Sequence, residues 1–387
     1  MNKNLNDIEM SGIRRFFNKV KDVTGAISLT LGQPDFKTPV EIKYGIIKAV
    51  EEDKTIYTDN FGVIDLRKEI SKYLNVKGVN YSYEDICVTV GGSEALFSSL
   101  AALINKGDKV LIPTPAYPAY ENIVKILGGK VINYYLKDDF SLDILNLEKI
   151  IKKEKIKYMI LSYPSNPTGA ILSKEEFQLL INLIKENDLY VISDEIYESF
   201  CYEDYYSVSM DENIINNIIY IGGFSKMFSM TGIRVGFIAA KGDVFNEIAK
   251  VHQYNVSCTN SIGQYGVIEG LKYGLHYVDK MKNEFRKRKI YVEQGLNELD
   301  IDFTSPKGAF YIFPSIKKYK MTSEEFCERL LYEEKVACVP GSAFGKGGEG
   351  YIRISYCYSI EELREAFDRI GKFVNRISEN QKSLSND

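Results

Sequence analysis

The sequence predicts an α/β protein: a mostly parallel sheet between helices, followed by a smaller α+β region. Three observations carry this. Between about residues 86 and 240, seven short β-rich runs alternate with amphipathic helical segments, the pattern of repeated βα units. After about Gly270 that alternation gives way to a long charged helical stretch and isolated strands. And 387 residues exceed what one ordinary core organises, so two domains of unequal size are expected.

In chain order, residues 1–10 are polar and lack the apolar core of a signal peptide. The strands are expected at 86–90, 109–112, 130–134, 157–162, 189–193, 218–221 and 235–239. Between them, Leu96, Leu100, Leu103 and Ile104 share one helical face, as do Phe177, Leu180, Ile181 and Ile184. Ser173 and Glu176 form a capping box that opens the second of these helices. Beyond Gly270 a long charged helical stretch at 271–299 leads to the run 310–313 and then a helix capped by Thr322 with Glu325. A strand at 336–339, another at 351–356 and a last helix capped by Ser359 with Glu362 follow, and the polar tail 378–387 is expected to be disordered. The expected division is an N-terminal arm, 1–44, that joins the small domain, a large domain, 45–275, and a small C-terminal domain, 276–387.

Composition narrows the function. Lys and Arg total 49 against 53 acidic residues, a net charge of −4, which argues against nucleic acid as a partner. The basic run Lys280, Lys282, Arg286, Lys287, Arg288, Lys289 reads as the solvated face of a helix. No stretch approaches the roughly 20 apolar residues of a membrane span. Six cysteines without a CxxC pair read as reduced thiols in a cytoplasmic protein. With only His252 and His276, neither a histidine-rich metal site nor a histidine-based triad is expected.

The chemistry-bearing residues lie elsewhere. Lys226 follows a strand in the small-residue loop Gly222-Gly223-Phe224-Ser225-Lys226, with Arg234 eight positions on. An amine whose charge is lowered by burial and cationic neighbours suits imine formation, although by itself the residue also reads as a surface lysine. Asp194, in Ser193-Asp194-Glu195-Ile196-Tyr197, ends another strand. Gly91-Gly92-Ser93-Glu94 joins a strand to a helix start, where backbone N–H groups cradle anions; a plain tight turn reads the same way. Arg353 stands in the apolar run Tyr351-Ile352-Arg353-Ile354, and its planar fork matches a carboxylate.

Together these motifs, in order and spacing, resemble the class I/II aminotransferases of the aspartate aminotransferase superfamily, from about Ser11 to Phe373. The resemblance implies the type I fold of enzymes dependent on pyridoxal 5′-phosphate (PLP), with Lys226 carrying the cofactor as a Schiff base. It makes Asp194 the partner of the pyridine nitrogen, Tyr197 and Asn166 of Asn166-Pro167-Thr168-Gly169 the partners of the ring oxygen, and Tyr117 the ring stacked on the cofactor. Gly92, Ser93, Glu94, Ser225 and Arg234 would hold the phosphate, joined by Tyr57 from a second subunit, which implies a homodimer with shared sites. Arg353 would grip the substrate α-carboxylate, approached also by the Gly32 backbone and by Asn166. The implied reaction moves an amino group between an L-amino acid and a 2-oxo acid in ping-pong fashion, with Lys226 as acid and base.

The segments 11–17 and 29–36 are most similar to a bacterial subgroup known as aminotransferase A, which implies acidic or N-acetyl-diaminopimelate-type substrates, with Arg14 or Arg15 available for a second carboxylate or as plain helix-surface charges. Two rivals share the fold. A carbon–sulfur β-lyase uses the same lysine for elimination, but the Asn166-Pro167-Thr168-Gly169 turn has the aminotransferase form. A PLP-sensing regulator would need a winged-helix domain ahead of residue 11, where none is expected.

Overall fold

The computed structural model describes all residues except 1, 7, 9–11 and 385–387, and the side chains of all these except 14 and 382–384. Its strands are β1 (Ile27–Ser28), β2 (Ile86–Thr89), β3 (Lys109–Thr114), β4 (Lys130–Tyr135), β5 (Tyr158–Ser162), β6 (Tyr190–Asp194), β7 (Ile218–Gly223), β8 (Gly236–Ala239), β9 (Tyr311–Ile312), β10 (Val336–Ala337), β11 (Val339–Pro340) and β12 (Ile352–Ser355). All seven expected runs enter one sheet of order β2-β8-β7-β6-β5-β3-β4. Neighbours are parallel except β8, which runs antiparallel to β2 and β7.

Helices cover both faces, so the central strands are apolar on both. Along β5, Ile160 joins one core cluster with Leu96, Leu100 and Ile248, while Met159 and Leu161 point the other way to Leu180, Leu183 and Ile184. The helix Lys174–Asn187 starts at the expected box: Ser173 Oγ accepts the Glu176 N–H at 3.1 Å, and Glu176 accepts the Ser173 N–H at 2.8 Å. The same carboxylate accepts the Leu142 N–H at 2.6 Å, fixing the helix to the segment after β4.

The second region holds the antiparallel sheet β11-β12-β9 and the parallel pair β1-β10, with Ile27 opposite Val336 and Ser28 opposite Ala337. The single strand expected at 336–339 is therefore two, β10 and β11, and Cys338 passes the chain from one sheet to the other. The segment after β1 is tied here too, since the Ser355 N–H donates to the Leu29 carbonyl at 3.0 Å.

Three expectations are corrected. The stretch expected at 271–299 comprises two helices, Ser261–Tyr273 and Leu275–Glu298, meeting at Gly274. Arg288 is not on a solvated face: it is buried, donates to Asp35 at 2.8 Å and lies over the Phe36 ring, because the arm before residue 40 packs across that helix. And the expected disordered tail continues the helix Ile360–Leu384, since Val374 and Ile377 keep its apolar face buried and Gln381 donates to the Tyr319 carbonyl; 385–387 lie outside the described residues. Among the described residues, no helix is long and apolar enough to cross a membrane.

Candidate active site

Because β2 and β7 are both antiparallel to β8, β2 runs parallel to β7 and the other central strands. The C-terminal ends of β2, β3, β5, β6 and β7 thus share one edge, where ligands of open α/β sheets bind. A cavity of about 420 Å³ opens there. Its wall gathers Gly92 and Ser93 after β2, Tyr117 after β3, Asn166 after β5, Asp194 at the end of β6, and Ser225 and Lys226 after β7. The second region completes the wall with Gly32 and Arg353.

Lys226 sits in the one-turn helix Phe224–Met227 and donates to the Gly32 carbonyl at 2.6 Å. Burial, reinforced by Arg234 and Arg353, lowers its pKa to about 8; a Cys357 contribution opposes this. Arg234 adopts a left-handed φ of 62° and donates to Ser225 Oγ at 3.3 Å and to the Thr231 carbonyl at 3.0 Å. It lies against Gly91, where any Cβ would collide with the guanidinium, and Gly91 itself has φ +70°. So the glycine lets the arginine reach the start of the helix Gly91–Leu103, whose first N–H groups have no intrahelical acceptor. A guanidinium, the Ser225 hydroxyl and the free N–H groups of a helix start make a built anion cradle.

Asp194 forms the floor. Burial pushes its carboxyl up, while Tyr120 O–H at 2.7 Å and the Ile196 N–H at 3.2 Å draw it back. A carboxylate held this way gains from a cation placed against it, such as a protonated ring nitrogen. Tyr197 O–H and Tyr311 O–H share a hydrogen bond at 2.8 Å, and Tyr117 packs edge-on against Tyr120 at 5.7 Å.

Arg353 is 2% exposed. Its terminal nitrogens donate to Asn166 Oδ1 at 2.9 Å and to the Thr30 carbonyl at 2.5 Å, and its guanidinium lies 4.4 Å from the Tyr311 ring centre. Its Nε has no hydrogen-bond partner, and among the described residues no carboxylate lies within ion-pair distance. A buried cation without a counter-charge is expensive, and a bound carboxylate would supply both the charge and the missing acceptor.

Two expected residues are not on this wall. The Glu94 carboxylate turns away and accepts the Val90 N–H at 3.1 Å, leaving only its backbone near the cradle. Tyr57 is 85% exposed, on the loop that precedes the helix Ile64–Val76. Arg15, exposed on the helix Gly12–Lys21, borders a neighbouring depression with Glu121 and Lys125; the Arg14 side chain lies outside the described residues. Three wall residues were not singled out in the sequence. Tyr120, three positions after Tyr117, carries a legible helical spacing; Thr30, acting through its carbonyl, and Tyr311 carry no such signal.

Comparison with known proteins follows the same lines. The family model described as aminotransferase class I and II matches residues 24–370. The chain is 41% identical over 390 residues to a Bacillus subtilis protein named "Probable N-acetyl-LL-diaminopimelate aminotransferase", covering 100% of this chain and 98% of that one. It is 40% identical to an aspartate aminotransferase of Pyrococcus abyssi, covering 97% and 98%. Among solved structures, an aromatic aminotransferase from Pyrococcus horikoshii superposes with a TM-score of 0.88 at 38% identity, covering 93% of this chain and 99% of that one.

Proposed function

The chain belongs to the class I and II aminotransferases, and from that premise we propose that it holds PLP in this cavity and presents amino acids and 2-oxo acids to it through Arg353. It is an enzyme of amino-acid metabolism, a transaminase. The observation that carries the proposal is the buried Arg353, whose Nε lacks a partner on the same wall as the depressed amine of Lys226.

The residues fit the cofactor. Lys226 would bind its aldehyde carbon, and Gly92, Ser93, Ser225, Arg234 and the Glu94 backbone its phosphate. Asp194 would face the ring nitrogen, Tyr197 and Asn166 the ring oxygen, and Tyr117 the ring face. When bound, PLP supplies an electron sink for charge developing at the substrate Cα. Arg353, steadied by Asn166 and Thr30, orients the α-carboxylate and so fixes which Cα bond faces the ring. Lys226 Nζ, with its charge disfavoured by burial, would serve as the base that holds and moves the proton at the substrate Cα. One cavity serves donor and acceptor in turn, which makes the kinetics ping-pong.

The test is a panel of amino acids assayed for matched loss of donor and gain of amino product. Matched transfer supports the proposal; pyruvate from sulfur-bearing donors in excess of transfer would favour elimination. An acidic substrate, of the aspartate, glutamate or N-acetyl-diaminopimelate type, is supported by the names of two relatives. A second reading, an apolar or aromatic side chain, is favoured by Ile13, Phe17 and Leu31 on the cavity wall, whose described lining supplies no cation beyond Lys226, Arg234 and Arg353.

The same reading makes the protein a cytoplasmic homodimer in which Tyr57 reaches the phosphate of a second copy. The helix Val40–Glu51 supports it: one face packs on the helix Ser261–Tyr273, while Val40, Tyr44 and Ile47 stand exposed, as do Ile56 and Tyr57 on the loop that follows. The division into 1–44, 45–275 and 276–387 belongs to the proposal too, supported by the pairing of β1 with β10.

A further inference from the structure

His252, on the helix Gly242–Val256, is fully buried, and no step above uses it. Its ring faces an acceptor at each nitrogen. Nε2 lies 2.8 Å from the Asn60 carbonyl, which can only accept. Nδ1 lies 3.3 Å from Glu94 Oε1, which also accepts from the Ser98 hydroxyl, while Oε2 accepts the Val90 N–H. With an oxygen against each ring nitrogen, the surroundings favour a ring that donates from both, the imidazolium form. Burial works against that charge, but Cys87 and Glu94 outweigh it and lift the pKa to about 10.

The two groups so joined belong to different parts of the site. Glu94 holds the first turn of the helix whose Gly92 and Ser93 line the cavity. Asn60 lies in the loop that carries Tyr57, held also through its side chain to the Ser257 carbonyl and through Gln264, which bonds Thr58 and Val63. We propose that His252 is a positioning residue, a buried strut that keeps the anion-binding turn of one site in register with the loop presenting Tyr57, and so sets the affinity for the cofactor's phosphate. This rests on the reading that the phosphate lies at the Gly92–Ser93 turn.

His252→Gln offers one amide where two separate acceptors need donors. Protein stripped of cofactor is titrated with PLP and with pyridoxal, which lacks the phosphate. PLP affinity should fall roughly tenfold, about 1.4 kcal/mol, while pyridoxal affinity stays within about twofold. Equal losses for the two ligands, or an unchanged PLP affinity, overturn the proposal. Should that variant fail to fold because Glu94 is stranded, the neutral pair Glu94→Gln with His252→Gln replaces it, with the same two outcomes. Arg234→Gln separates the inference from its premise. If this change also treats PLP and pyridoxal alike, the phosphate lies elsewhere and the strut falls with the parent reading. If it weakens PLP selectively and His252→Gln does not, the strut alone is refuted.

Discussion

Replacing Arg353 with lysine keeps the positive charge and removes the fork. In the native site the two terminal nitrogens are committed at one N–H each, to Asn166 at 2.9 Å and Thr30 at 2.5 Å, and Nε–H is uncommitted. A lysine ammonium reaching the same place cannot serve both anchors and still meet a carboxylate with two parallel bonds. The substrate should lose one charged hydrogen bond, about 1.5–3 kcal/mol. With each 1.4 kcal/mol a decade, that is a loss of about tenfold to a hundredfold in kcat/KM. One buried anchor also loses its donor, so the melting temperature should fall by an amount corresponding to about 1–3 kcal/mol. Stopped-flow absorbance reads the half-reactions separately, and both should slow, the amino acid and the 2-oxo acid alike, with PLP retained. The control is an amine without an α-carboxylate, whose slow reaction should be indifferent to the change. If that amine slowed as much as the amino acids, Arg353 would be a structural cation and the substrate would lie elsewhere.

Lys226→Ala should abolish turnover and the near-visible absorbance of bound PLP; borohydride fixing PLP to another lysine would contradict this. Lys226 titrates near 8 when folded against 10.5 in its ordinary state, so between those pH values the unfolded chain binds more protons and stability of the cofactor-free protein should rise with pH. A Lys226→Met variant should lose that rise, and parallel melting-temperature profiles for the two proteins would refute the burial of the amine. Asp194→Ala should fold yet keep less than about a tenth of wild-type kcat, as expected when a group acting in the transition state is removed; the Tyr120 hydroxyl keeps Ser162 Oγ at 2.9 Å as its acceptor, so the fold should change little. Light scattering should find a homodimer, and a fully active monomer would remove the role given to Tyr57.

The sheet was legible because each of its strands is a short apolar run bounded by turn residues, and parallel strands buried on both faces leave that mark in sequence. That Lys226, Arg234 and Arg353 gather on one cavity wall was legible for a related reason: they are cations set in small or apolar surroundings. Tyr311 and Thr30 were not. One is an aromatic among aromatics, Phe310 and Phe313, and the other works through a carbonyl that every residue possesses. Glu94 misled in part because its neighbours in sequence line the cavity while its own side chain, one step further round the helix, faces Val90 and His252. Arg288 and the last helix were misjudged for want of tertiary context, since only the packed arm and the Tyr319 carbonyl give those polar residues buried partners.

The pairing of Ile27–Ser28 with Val336–Ala337 has a consequence for the order of assembly. Arg353 and Thr30 bond across 323 positions of chain, and the Gly32 carbonyl meets Lys226 across 194. Loops of such length close late, after local βα units have collapsed, and they make folding slow. On the ribosome the proposed phosphate cradle, built between residues 90 and 234, can form while the C-terminal strands are still unmade. The Arg353 clamp proposed for the carboxylate cannot. If the proposed assignments hold, a nascent or truncated chain ending before Val336 would lack the arginine meant to recognise an amino acid, and recognition would be acquired only when residues near 30 and 353 meet.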